Sequence, residues 1–234
     1  MKRKVFILLV SAMATLTLNT FAQDGNWQTR SVSGFNSIES GGPFNVHIKV
    51  NGTESLKLNI DVDVINDVKT EVVDGVLKIG FKNRMSFHRN IRKADIFITA
   101  KSLEGLGNSG SGNLDVEGAV TGQNAKVSLT GSGNIKTAVK SGSLDAKISG
   151  SGSIDIKGST DDANLRITGS GEINGRDLKT ESVTATISGS GGISIIANKS
   201  VSARITGSGS VAYSGNAVVA ETKYSGSGRV RKVD

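Results

Sequence analysis

From residue 110 onward, apolar and polar residues alternate in short runs that recur at a nearly constant offset. Counted back from Gly131, Gly150, Gly169, Gly189, Gly207 and Gly226, position −2 reads Leu129, Ile148, Ile167, Ile187, Ile205 and Tyr224. Position −4 reads Val127, Ala146, Leu165, Ala185, Ala203 and Thr222, and position −6 reads Ala125, Leu144, Ala163, Val183, Val201 and Ala220. Four residues after each of these glycines and after Gly110 the apolar set returns, as Leu114, Ile135, Ile154, Ile173, Ile193, Val211 and Val230. Alternation of period two over five to seven residues predicts strands with one buried face.

Each run closes on Gly-Ser-Gly, starting at Gly110, Gly131, Gly150, Gly169, Gly189, Gly207 and Gly226, with successive spacings of 21, 19, 19, 20, 18 and 19 residues. A period near twenty predicts one supersecondary unit stacked on copies of itself. A meander of hairpins would need comparable turns at both ends of every strand. Here only one corner is strictly repeated, while the other connection varies, as in residues 157–162 against 197–200. One coil per repeat fits better: about 19 residues at about 3.3 Å each give a perimeter near 60 Å. The expected fold is all-β, a right-handed parallel β-helix or β-solenoid filled by stacked Ile, Leu, Val and Ala. Glycine at the corner permits positive φ and close backbone approach, and the intervening Ser111, Ser132, Ser151, Ser170, Ser190, Ser208 and Ser227 form a hydroxyl column, read as structural.

Residues 26–100 also alternate, as in Phe44 to Val50, Leu56 to Ile60 and Val76 to Phe81, with reversal signals at Asn51-Gly52 and Asp74-Gly75. Ile38 to Val46 reads as a degenerate corner with its middle serine lost. Residues 26–100 are expected to form irregular N-terminal coils and a cap on the coils of 101–234, so that 23–234 is a single β-solenoid domain.

Residues 1–22 carry Lys2-Arg3-Lys4, an apolar run, and Thr20-Phe21-Ala22 with small residues at −3 and −1, the pattern of a signal peptide cleaved after Ala22. Its removal takes three positive charges from a net +7 and leaves +4. The chain has no cysteine, so neither a lipobox nor disulfides are expected. No later segment has the 18 or so apolar residues of a membrane span. The mature chain is therefore expected in the periplasm, at the outer surface or secreted.

Phe35 with Ile38, Ser40-Gly41-Gly42 followed by Phe44-Asn45-Val46, the segment Val72 to Ile79, and the later Ser-Gly-Ser-Gly corners resemble the putative auto-transporter adhesin, head GIN domain family of secreted Bacteroidetes proteins. The resemblance covers roughly residues 30–230. It implies a β-helical fold and an adhesin role, with no catalytic residues to carry over. No translocator barrel is expected, because the chain runs only to Asp234.

The residues themselves argue against an enzyme and against a cofactor. The outward position five after the first Gly reads Asp115, Lys136, Asp155, Asn174, Ser194, Ala212 and Arg231, which is no carboxylate cluster for polysaccharide cleavage. His47 alternates with Val46 and Ile48 as a surface strand residue, and His88 sits in a polar loop. With no Cys and no paired His, neither a hydrolytic triad nor a zinc site is expected. The residue after the second Gly (Asn113, Asn134, Ser153, Glu172, Gly192, Ser210, Arg229) lacks the recurrent Asp of a calcium β-roll, and Gly-Ser-Gly lacks the lysine and helix of a P-loop.

The column three residues before each corner, Ser128, Lys147, Arg166, Thr186, Arg204 and Lys223, is the candidate ligand surface. Its four basic residues are either a solvated strand face or a surface for an anionic glycan or envelope polymer. A second candidate basic patch comprises Lys82, Arg84, Arg89, Arg92 and Lys93 beside Phe87; export argues against nucleic acid as its partner. Aromatics, 4% of the chain, are too few for sugar-stacking platforms along the solenoid. The expected function is a non-enzymatic surface or periplasmic binding module, an adhesin contacting glycans or envelope polymers. The alternatives are a passive spacer and a pectin-lyase-like enzyme, and an open solenoid end invites end-to-end homo-oligomers.

Overall fold

The computed structural model describes residues 27–83 and 91–233, so the signal peptide expected at 1–22 lies outside the described residues. In chain order the elements are β1 (Trp27–Arg30), β2 (Ser37–Gly41), β3 (Asn45–Val50), β4 (Ser55–Ile60), the one-turn helix α1 (Val62–Ile65), β5 (Val68–Val73), β6 (Val76–Phe81), β7 (Ala94–Ala100) and β8 (Gly105–Gly110). One long strand per coil follows: β9 (Asn113–Gly131), β10 (Asn134–Gly150), β11 (Ser153–Gly169), β12 (Glu172–Gly189) and β13 (Gly192–Gly207). The chain ends with β14 (Ser210–Ser214), β15 (Val218–Ser225) and β16 (Arg229–Lys232). β9 to β13 pair in parallel, each on the next, as a β-solenoid of about 7 turns. The looser turn expected on the far side of each coil proves to be part of the ladder, which runs through it with local register shifts.

The register stacks like on like: Ile135 on Ile154, Ile148 on Ile167, Ile167 on Ile187. These columns are at most 2% exposed and form the core, which continues without a break into the N-terminal section. The corner follows from the same stacking. Gly131 has φ +113°, and a Cβ on it would stand 2.5 Å from the Gly110 carbonyl oxygen. The second glycine meets the backbone too, a Cβ on Gly133 falling on the Gly112 carbonyl oxygen, and at Gly171 it also meets a side chain. A Cβ on Gly171 would stand 2.6 Å from the γ2 methyl of Ile148 in the preceding coil, so the isoleucine of one turn fills the space that the glycine of the next leaves open. Main-chain bonds lock the corner: Ser132 and Gly133 N–H donate to the Gly110 carbonyl, each at 3.1 Å. Among the described residues the corner hydroxyls themselves form no hydrogen bond, so the serine column stands in solvent and the ladder is a backbone ladder.

The N-terminal section belongs to the same stack but not in chain order. β2 and β3 form a coil whose corner sits against the first Gly-Ser-Gly, with Gly41 opposite Ser109 and Asn45 opposite Asn113. The chain then leaves the stack. It returns as β6 and β7, which pair in parallel with the other sides of β2 and β3, before β8 and β9 take up the inner side. β7 therefore lies between β3 and β4, and the Asn51-Gly52 reversal spans a strand instead of closing a hairpin. Antiparallel pairs, β1 with β4, β4 with β7, and β5 with β6, finish this end. Arg30 ties them together, donating to the carbonyls of Val68 (2.6 Å) and Ile65 (2.9 Å). Among the described residues no helix is long and apolar enough to cross a membrane.

Candidate functional site

Parallel in-register coils repeat each outward position at about 4.8 Å along the axis, so surface chemistry here is organised in rows. The basic row is real as a row: Ser128, Lys147, Arg166, Thr186, Arg204 and Lys223 are consecutive ladder partners, and the four basic side chains are exposed. Two form ion pairs. Lys223 pairs with Glu221 at 2.7 Å, and Arg166 lies 3.5 Å from Asp145, an ion pair too long for a hydrogen bond. Hydrogen-bonded Lys223, with Arg204 beyond it, holds the Glu221 carboxyl below its ordinary range. Of the second patch, Arg84 and Arg89, with Phe87 and His88, lie outside the described residues. Lys82, Arg92 and Lys93 are exposed at the N-terminal end, where Lys82 Nζ donates to the Asn66 carbonyl and the Arg92 N–H donates to Asp61, both at 2.7 Å.

A third surface, across the corner from the basic row, joins the outward column of Asp115, Lys136, Asp155 and Asn174 to a ring cluster that the sequence does not anticipate. The outward row on the strands that follow the corner runs Lys57, Phe97, His47, Asp115, Lys136, Asp155, Asn174 as consecutive ladder partners. Three rings gather at its N-terminal end. His47 stacks on Phe97 with centroids 4.9 Å apart and planes at 22°, and Trp27 meets the same Phe97 at 5.3 Å. Trp27 and Phe97 remain 36% and 37% exposed, large apolar rings on an open face.

Beyond the rings the row becomes the floor of a groove of about 300 Å³. The groove lies where the coil lengths are uneven. The coil starting at Gly110 is 21 residues long, and its register against the next shifts between Asp115 and Ala119; the coil starting at Gly169 is 20 residues long, and β12 gains its residue between Asn174 and Asp177. Val116 on one side and Arg176 with Asp177 on the other line the groove, flanking the two 19-residue coils that carry Lys136 and Asp155. On the groove floor Asn174 Nδ2 donates to Asp155 Oδ1 at 2.9 Å. The spacings 21, 19, 19, 20 carried this signal in the sequence, without saying on which face the extra residues fall. Among the described residues no group of three or more His, Cys, Asp or Glu is placed to hold a metal ion.

A family model spans residues 34–217 of this chain, from the first stacked coil almost to the last. The chain belongs to the putative auto-transporter adhesin, head GIN domain family. The fold is shared with solved structures. A putative adhesin from Bacteroides fragilis matches with a TM-score of 0.84 at 24% identity, covering 91% of this chain and 98% of that one. A putative lipid binding protein from Parabacteroides distasonis matches at 0.71 and 25% identity, and a putative adhesin from Parabacteroides merdae at 0.70 and 24%, each covering 90% of this chain and 98% of the other. Comparison with curated proteins finds no match.

Proposed function

We propose that this head GIN domain protein is an exported, non-enzymatic binding module of the periplasm or cell surface that contacts glycans or envelope polymers as an adhesin does. The observation that carries this reading is the stacking register, which turns single outward residues into straight rows of like chemistry, foremost the exposed Lys147, Arg166, Arg204 and Lys223. A polymer with a charge on each unit meets such a row repeatedly, and multiple weak contacts add along it. The adhesin descriptions of the family and of two structural relatives support the same reading.

The test is a binding screen of the mature chain against acidic polysaccharides, peptidoglycan fragments and anionic lipid vesicles at low and physiological salt. The vesicle arm follows from the description of the Parabacteroides distasonis relative as a lipid binding protein. Salt-sensitive binding that disappears when Lys147, Arg166, Arg204 and Lys223 are together changed to Glu supports the basic row; no interaction at low salt sinks the basic row as the adhesive surface. The spacer reading is favoured by one observation, the local compensation of Arg166 by Asp145 and of Lys223 by Glu221. It predicts that the same variant behaves as wild type in every arm.

A further inference from the structure

We propose that the row from the Trp27, Phe97 and His47 rings through Asp115, Lys136, Asp155 and Asn174 is the binding site for an uncharged oligosaccharide laid along the solenoid axis. This rests on the reading of the chain as a glycan-binding module and assigns it a site and a ligand class distinct from the basic row.

Three observations converge. Large rings are usually drawn into the core, yet here Trp27 and Phe97 are more than a third exposed and grouped with His47, the last two on paired strands. An exposed aromatic cluster rimmed by polar side chains marks a binding site, and the axial C–H faces of a pyranose are what such a platform stacks against. Next, the row that continues from the rings alternates acceptor and donor: Asp115, Lys136, Asp155, then the Asn174 amide that is already anchored to Asp155 at 2.9 Å. Each sugar hydroxyl both donates and accepts, so it is satisfied by neighbours of both kinds. Around the groove the carboxylates of Asp115, Asp155 and Asp177 are matched by the cations of Lys136, Lys157 and Arg176, so no single-sign field draws a polyanion or a polycation and an uncharged chain fits the pattern.

Geometry supplies the third. Six consecutive row members from Phe97 to Asn174 cover five coil steps, about 24 Å at about 4.8 Å each. One step is close to the length a pyranose residue adds to an extended chain. The groove covers the far part of this track, from Asp115 to Asn174, so rings and groove share one line.

The experiment uses the mature chain and uncharged cello-, xylo-, manno- and chito-oligosaccharides, with polygalacturonate as the anionic comparison. Trp27 is the chain's single tryptophan, so its emission reports on the platform itself. At least one uncharged oligosaccharide is expected to shift that emission and to bind with an affinity that changes less than about twofold between low and physiological salt, where screening removes exposed charge interactions. Phe97→Ala and Asp155→Ala should each weaken it at least about tenfold, with far-UV circular dichroism and melting temperature checking that each variant folds; Phe97→Leu, which keeps the apolar bulk but not the ring, should weaken it as well. The fourfold change of the basic row to Glu should leave it intact. Uncharged ligands that bind equally to the Phe97 and Asp155 variants overturn the assignment. Binding only of polygalacturonate, lost in the basic-row variant, overturns it too but leaves the broader binding reading standing; no binding of any kind overturns both.

Discussion

The side-chain amide of Asn113 donates to the Asn45 carboxamide oxygen at 2.9 Å, although 68 residues separate the two in the chain. The ladder continues inward, with Asn134 donating to Asn113 at 2.8 Å and Ser153 to Asn134 at 2.7 Å. It therefore crosses the point where spatial order departs from chain order, tying the inserted N-terminal coil to the repeats. Replacing Asn113 by Ala removes a donor and an acceptor at once. Both bonds are exposed, so a loss of about 1 kcal/mol is expected in urea denaturation, with the mutant retaining the wild-type far-UV spectrum.

The Ile148 methyl and the vacant side of Gly171 make a coupled pair. Gly171→Ala should destabilise by about 1–3 kcal/mol through overpacking. Gly150→Ala should be worse, because it adds positive φ (+135°) and its clash with the Gly131 carbonyl is closer than that of Gly171→Ala with the Gly152 carbonyl. Ser170→Ala, which removes only a solvated hydroxyl, should fall within about 0.5 kcal/mol. In the Gly171→Ala, Ile148→Ala double variant the new methyl partly fills the cavity, so its destabilisation should undershoot the sum of the singles by at least about 0.5 kcal/mol. Additive losses would refute the pairing.

The coil was legible because its causes are local and repeated: alternation fixes which face is buried, and a glycine recurs wherever the corner demands one. Even the degenerate corner at Ser40-Gly41-Gly42 kept enough of the pattern to be recognised, and it does stack on Ser109 and Gly110. The order of the coils was not legible. Val76 to Phe81 and Ala94 to Ala100 alternate like any strand, and nothing local says that they add to the outer side of β2 and β3. Nor could the ring cluster be read, because Trp27, His47 and Phe97 belong to three strands whose proximity is created by that unexpected order. The basic row, by contrast, needed only the repeat, and it was visible at once.

Glu54 should make the N-terminal section sensitive to acid. Its side chain is 7% exposed; Oε2 meets Lys101 at 2.9 Å, while Oε1 accepts from the Gly34 and Phe35 N–H groups at 2.8 and 3.2 Å. The Lys101 hydrogen bond first, then the two backbone donors, hold the carboxyl below its ordinary value of 4.5. A carboxyl lowered by folding stabilises fully above its ordinary value and loses that contribution as pH falls through the folded value. Glu54→Gln should therefore melt below wild type at pH 7, and the difference should shrink as pH drops under 4.5. A constant difference across that range would mean that Glu54 acts by packing instead of charge.

Lys147 stands opposite Arg166 on one side and Ser128 on the other in the ladder. Like charges at a coil spacing repel, and two coils of the same row manage with Ser128 and Thr186. If the row were kept for folding, Lys147→Ser would destabilise. Repulsion predicts the opposite: no loss, or a gain of a few tenths of a kcal/mol at low ionic strength that fades as salt screens the pair. Thermal melts of the single variant at low and high salt decide the sign. A gain would place the selective value of the lysine outside the fold, where a ligand meets it, whereas a loss above about 1 kcal/mol, larger than an exposed ion pair supplies, would make the row structural.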